Sequence, residues 1–299
     1  MNSFGGNWTE NKIDILIEYA KAYLKIMNKF SNRYKWNLLY FDGFAGSGLI
    51  ENKEQIDGHQ SLFFDLENAE NGDVVGAAKR ILEINDPISF DSYYFVELDK
   101  VNYQNLIENT KNAYPSKDIH VVQTDCNLKM LDMSKYLKSK KGKNTKVLAY
   151  IDPYGMQLEW KSLEALKDVS VDMWILIPTG MGVNRLITSS GEISEAWLKR
   201  LVKFLGMSIE DLRKFFYDEK VVMTLFGEQE TQISKKDKAI NRSAELYQKR
   251  LKELFKYVSN SYMLKNKSNS VMFHFLMVSN NPTAVKIADE IIKKYKFNK

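Results

Sequence analysis

Two short runs hold most of the residues able to do chemistry. The first is Phe41-Asp42-Gly43-Phe44-Ala45-Gly46-Ser47-Gly48. Its glycines let a backbone turn tightly and let a ligand approach with no Cβ in the way. The spacing is G-x-x-G-x-G rather than the G-x-G-x-x-G of a dinucleotide loop, and an acid stands before the first glycine. A carboxylate there repels a pyrophosphate and suits a ligand with an ammonium group. The second run is Ile151-Asp152-Pro153-Tyr154-Gly155. Asp152 can accept a hydrogen bond from a substrate amine, and Pro153 fixes the backbone beside it. Tyr154 offers a flat face on which a base can stack. Holding a nitrogen lone pair in line with its target is catalysis by orientation, so Asp152 need not be a strong base.

Other candidates lie between the two runs. Glu97 ends a predicted strand, where an acid in a Rossmann-type fold accepts from ribose hydroxyls; Asp99 reads as a helix cap or a weaker ribose ligand. Asp125 ends another strand and would accept from an adenine amine or cap the next helix. Cys126 and Asn127 would line the same pocket, with a small buried filler as the other reading of Cys126.

The elements that must position these residues are legible as periodicity. Apolar residues Ile13, Leu16, Ile17, Ala20, Leu24 and Met27 follow a 3-4 rhythm, predicting an amphipathic helix over 10–30. Five strands are predicted at 36–41, 93–96, 119–123, 147–151 and 173–177. Helical stretches at about 60–69, 75–84, 101–113 and 160–167 fall between them. Alternation of this kind predicts a parallel sheet covered on both faces. Residues 183–255 read as helices with turn signals at 189–191 and Gly206 and a polar gap at 227–234. Two β-rich runs, 257–264 and 271–278, then predict an antiparallel hairpin, and a last helix spans 283–296. The expected organisation is a core over 1–182, a helical insertion over 183–255, and a hairpin and helix over 256–299 that complete the core.

The 299 residues are 44% hydrophobic and 27% charged, ordinary for a globular protein. With one cysteine, a reducing cytoplasm is the expected compartment, and neither a membrane span nor a secretory signal is visible. Three scattered histidines beside that cysteine argue against a metal site. Net charge is +5, but residues 235–299 hold 15 Lys/Arg against 5 Asp/Glu, leaving 28 against 33 in the remainder. A basic C-terminal quarter on an acidic body suggests a polyanion partner, with a solvated lysine-rich face as the alternative. The basic run 138–146 reads as a solvated turn.

FDGFAGSG resembles motif I of class I methyltransferases, and IDPYG resembles their motif IV, the Asp/Asn-Pro-Pro-aromatic signature of amino-methyltransferases. The order of WTENK, YFDGFAGSG, Gly58-His59-Gln60-Ser61, FVELD, TDCN, AYIDPYG, DMWILIP and Asn184-Arg185 resembles the three-Cys-motif partner protein (TcmP) family over roughly 8–187. This resemblance implies a Rossmann-like fold with a mostly parallel seven-stranded sheet and a late antiparallel hairpin. It also implies S-adenosylmethionine held by Asp42, Gly43, Phe44, Ala45, Gly46, Gly48, Glu97, Asp125 and Cys126. Asp152, Pro153, Tyr154 and Gly155 then form the catalytic run, and a three-Cys-motif protein is the implied partner. Two departures stand out. The tetrapeptide is D-P-Y-G, closer to the D-P-F-G of tRNA guanine-N2 dimethyltransferases than to D-P-P-Y, and Glu97 lies far beyond the roughly 20 residues usual for a ribose acid. The leading expectation is an N-methyltransferase of nucleic acid, RNA ahead of DNA. A methyltransferase of a protein or small amine and a non-catalytic module serving the partner protein are the other two.

Overall fold

The computed structural model describes residues 7–48, 76–180, 193–223, 229–236, 239–266 and 268–297. The expected helix near 60–69, the tetrapeptide 58–61, Asn184-Arg185 and the turn at 189–191 lie outside those residues.

Helix α1 (Asn7–Lys29) buries a wider face than the expected stripe, for Lys12, Ile15, Tyr19 and Tyr23 are buried too. Strands β1 (Asn37–Asp42), β2 (Ser92–Glu97), β3 (Ile119–Gln123), β4 (Thr145–Ile151) and β5 (Val171–Ile177) are parallel and lie in the order β3-β2-β1-β4-β5. The runs NLLYFD and VLAYI are almost unbroken in hydrophobicity because both faces of a parallel sheet are covered. Between these strands stand α2 (Ala77–Leu82), α3 (Lys100–Leu106) with a π-helical turn (Ile107–Asn112), α4 (Cys126–Lys138) and α5 (Trp160–Ala165).

Beyond β5 come α6 (Glu195–Leu205) and α7 (Ile209–Phe216), then an antiparallel pair, β6 (Tyr217–Met223) and β7 (Gln229–Lys235), and α8 (Ala239–Leu254). The polar gap expected between helices is thus largely strand β7. Strand β10 (Val271–Ser279) inserts antiparallel beside β5, and β8 (Tyr257–Val258) and β9 (Tyr262–Lys265) pair in turn along its other edge. These eight strands fill seven positions. Helix α9 (Pro282–Phe297) packs on α1. This is a Rossmann-like α/β fold: a large, mostly parallel sheet with a late antiparallel strand inserted beside β5.

Alternate residues of each strand feed two cores. Tyr40, Leu148, Trp174 and Phe275 face α1, α2 and α9. Phe41, Ala149, Ile151 and Met173 face α4 and α5, and Leu201, Phe204, Leu212, Tyr247 and Leu251 of the later helices join that same cluster. Residues beyond β5 therefore share the sheet's core.

Candidate functional site

The chain crosses from β1 to β2 on one side, while β4 lies on the other, so strand order reverses between β1 and β4. In an open α/β sheet a crevice opens at such a switch point, beyond the carboxyl ends of the strands. Asp42 is the last residue of β1 and is in register with Tyr150 of β4. Asp152 follows the last residue of β4. Both chemical runs therefore meet at one end of the sheet.

The glycine turn, which continues β1, is tied by three hydrogen bonds to the ends of β2 and β4. Gly43 N donates to Tyr150 O at 3.0 Å, Ala45 N to Val96 O at 3.0 Å, and Gly46 N to Glu97 Oε2 at 2.9 Å. Glu97 Oε1 accepts from Asp99 N at 2.7 Å. Glu97 thus organises the turn, a role its strand-end position did not disclose, and each oxygen keeps a further lone pair. Gly46 and Gly48 have φ of +60° and +81°, values that favour glycine. A Cβ on Gly46 would meet no atom of the described residues within 4 Å. A Cβ on Gly43 would instead lie 2.5 Å from Cys126 Sγ and 2.9 Å from Ile151 Cδ1. Cys126 therefore packs beneath the turn, and burial, with Asp125 and Asp42 adding, pushes its thiol pKa well up. Phe44 and Ala45 are half-buried in the turn.

Asp42 is 2% exposed, and its Oδ1 accepts from Phe44 N at 3.2 Å. Burial raises its pKa to about 8; the charges of Asp152 and Glu97 push the same way, while the Phe44 N–H and Lys12 oppose them. Asp152 differs: its side chain is 21% exposed, and Oδ2 accepts from Lys12 Nζ at 2.6 Å and Tyr150 OH at 2.8 Å. Oδ1 has no hydrogen-bond partner among the described residues. Burial, with Asp152 adding, holds the Tyr150 phenol well above its usual pKa, so it donates. Neither Lys12 nor Tyr150 was expected here. Lys12 heads the helical row of Leu16, Tyr19 and Tyr23, and a lysine leading a buried row was the available signal.

Beside Asp152, Pro153 is buried, Tyr154 is 53% exposed and Gly155 has φ +62°. Asp125 caps α4, its Oδ1 accepting from Asn127 N at 2.7 Å and Leu128 N at 3.4 Å; Asp99 caps α3 in the same way. Asn127 braces the segment after Asp152–Gly155: Nδ2 donates to Gln157 O, and Oδ1 accepts from Glu159 N and Ser162 Oγ. Two arginines of the basic C-terminal quarter are used internally. Arg242 donates to Phe215 O, while Arg250 donates to Leu205 O and lies over the Trp160 ring. Among the described residues no His/Cys/Asp/Glu cluster could hold a metal, and no helix is long and apolar enough to cross a membrane.

No protein-family model matches the chain, and no curated protein matches it. Among solved structures, it is similar to a Legionella pneumophila (strain Philadelphia 1) protein assigned to the family model DUF519, at 16% identity and TM-score 0.43, over 97% of this chain and 93% of that one. It is also similar to Pyrococcus horikoshii Trm1, solved with S-adenosyl-L-methionine, at 11% identity and TM-score 0.36, over 97% and 71%. An S-adenosylmethionine-dependent methyltransferase from Clostridium acetobutylicum ATCC 824 follows at 8% identity and TM-score 0.29, over 88% and 92%. With every TM-score below 0.5, these likenesses carry no weight on function, and the strand order rests on the chain itself.

Proposed function

We propose that the protein is an S-adenosylmethionine-dependent N-methyltransferase acting on nucleic acid, RNA ahead of DNA. The observation that carries this reading is the pairing of two unlike carboxyls at the switch point. Asp42 is buried beneath the glycine turn with its pKa raised to about 8, while Asp152 Oδ1 has no hydrogen-bond partner among the described residues. A buried carboxyl flanked by like charges gains from an incoming cation, and the ammonium of an amino-acid-derived cofactor fits that need. Asp42 would take that ammonium, the backbone of 43–48 would lie along the ligand, Glu97 would accept from the ribose, and Asp125 with the Cys126 wall would border the adenine. When bound, S-adenosylmethionine supplies an electrophilic methyl on a sulfonium.

The chain's own residues supply orientation. Lys12 and Tyr150 fix Oδ2 of Asp152, leaving Oδ1 to accept an N–H of the target amine and aim its lone pair. Exposed Tyr154 stands beside it as a face for an unstacked base. After the methyl has moved, the nitrogen loses its extra proton to Asp152 or solvent. The basic C-terminal quarter supports a phosphate backbone as partner.

One observation favours the second reading, a module that serves a three-Cys-motif partner protein. Val221 and Met223, on the β6–β7 pair, are exposed apolar residues of the kind a protein partner covers.

Transfer of labelled methyl from S-adenosylmethionine to total cellular RNA separates these readings. Label should appear in RNA and vanish on nuclease treatment. Asp152→Ala should cut transfer by roughly 10²-fold or more with cofactor affinity nearly unchanged; a variant with normal turnover ends the role given to Asp152. Label in protein after nuclease treatment would move the acceptor. Gly46→Val should block cofactor binding, since it adds a side chain where the backbone would lie along the ligand.

A further inference from the structure

We infer that the opposite end of the sheet carries a docking surface for single-stranded nucleic acid. The basic run 138–146, expected to be a solvated turn, has a second basic segment laid against it. Asn37 N donates to Asn144 O at 3.0 Å, and Asn37 and Leu38 pair with Thr145 and Lys146. Residues 33–36 (RYKW) therefore leave α1 alongside residues 138–146 (KSKKGKNTK). Together these segments hold seven cations and no acid, and none of the seven forms an ion pair with a described residue. Lys138 and Lys146 are tethered to Ala165 O and Ser170 Oγ, and Lys146 also feels the buried Asp172. The other five are exposed. Asp91, whose carboxylate accepts from Leu38 N at 2.7 Å, is an acid beside this end of β1. Some lysines elsewhere meet acids directly, as in Lys214–Glu210 at 2.6 Å and Lys294–Glu18 at 2.8 Å.

A concentrated positive excess draws a polyanion, and the aromatic residues select which one. The rings of Tyr34 and Trp36 stack at 4.8 Å and 8°. Arg33 lies 5.3 Å over Tyr34, and Lys146 lies 5.7 Å over Trp36. Tyr34 is 40% exposed. A base that stacks on this pair takes the place of the Arg33 or Lys146 head over its ring, with no sequence preference, and leaves the cations to track phosphates. The stacked pair commits the proposal to bases, which stack on ring faces, and binding to an anionic lipid surface is an outcome of the test. This surface lies the length of β1 from the crevice, about 20 Å, and rests on no part of the methyl-transfer reading.

The test is fluorescence anisotropy of the full chain with a labelled oligo(U) of about 20 nucleotides, between about 50 and 200 mM KCl. Wild type should bind with a steep salt dependence. Replacing Lys140, Lys141 and Lys143 together by Ala should weaken binding about 10-fold or more and make the log–log salt slope shallower by about 2. Tyr34→Ala should weaken it about 5-fold with the slope kept. All four side chains are exposed, and unchanged melting curves would confirm intact folding. Wild-type affinity in the triple variant overturns the inference. So does loss confined to a control variant with Lys286, Lys293 and Lys296 of α9 changed to Ala. Binding to phosphatidylserine vesicles through the same three lysines, with no binding to oligo(U), overturns it as well.

Discussion

Asp42 is held in a state that disfavours the empty protein. Its proton stays on to about pH 8 in the fold and leaves near pH 4 in the unfolded chain. Across that window the native state binds more protons, so its stability falls as pH rises. Asp42→Asn removes this slope. The variant should melt higher than wild type at pH 8, by about 2 °C or more, with the gap closing toward pH 4. Parallel melting profiles for the two proteins would contradict the raised pKa. Lys12 and Asp152 form the complementary case. Lys12→Met should cost about 2 kcal/mol, below the range for fully buried pairs because Asp152 is partly exposed. The same change in an Asp152→Asn background should cost less than half of that in urea titrations; simple additivity would mean the pair is not coupled. Asp42 and Asp152 were legible in the sequence because acids at apolar strand ends beside glycine or proline have few structural uses. Lys12 carried only the signal of leading a buried row, for lysines on amphipathic helices normally face water and its partner lies 140 residues away.

The strands were legible because parallel strands covered on both faces are runs of apolar residues bounded by polar turns. The hairpin β6–β7 was not, because YDEKVVM and QETQISK mix charges with β-formers and lack a strong apolar alternation. Nor could the sequence show that the helices after β5 share the sheet's core, since an apolar helix face does not name its neighbour. Capping was half-visible: Asp125 and Asp99 were readable as caps, but the use of Asn127 as a brace needed the fold. Asn127→Ala removes three bonds to the segment that follows Gly155. It should destabilise the protein by about 2 kcal/mol and lower transfer with cofactor affinity nearly unchanged. A loss under about 0.5 kcal/mol in denaturant titration would show that the segment is held otherwise.

Taken whole, the molecule puts its two kinds of surface at opposite ends of one sheet. Acids gather at the carboxyl ends of β1, β2 and β4, while cations with no ion pair to a described residue gather where β1 and β4 begin. Charge counts along the chain pointed to the C-terminal quarter for the polyanion. In the fold, Arg242, Arg250 and Lys294 of that quarter have internal partners, so part of its excess is already used. Charge bookkeeping reads sequence neighbours, whereas the cationic end is assembled from segments about 100 residues apart. The claim on which the functional account depends is that the acidic end binds S-adenosylmethionine through Asp42. Calorimetry of S-adenosylmethionine with wild type and Asp42→Asn at pH 7, in two buffers of different ionisation enthalpy, tests it most directly. The account predicts micromolar binding with release of about one proton by wild type, and loss of both affinity and proton release in the variant. No binding at millimolar cofactor, or equal binding by the two proteins, would contradict it.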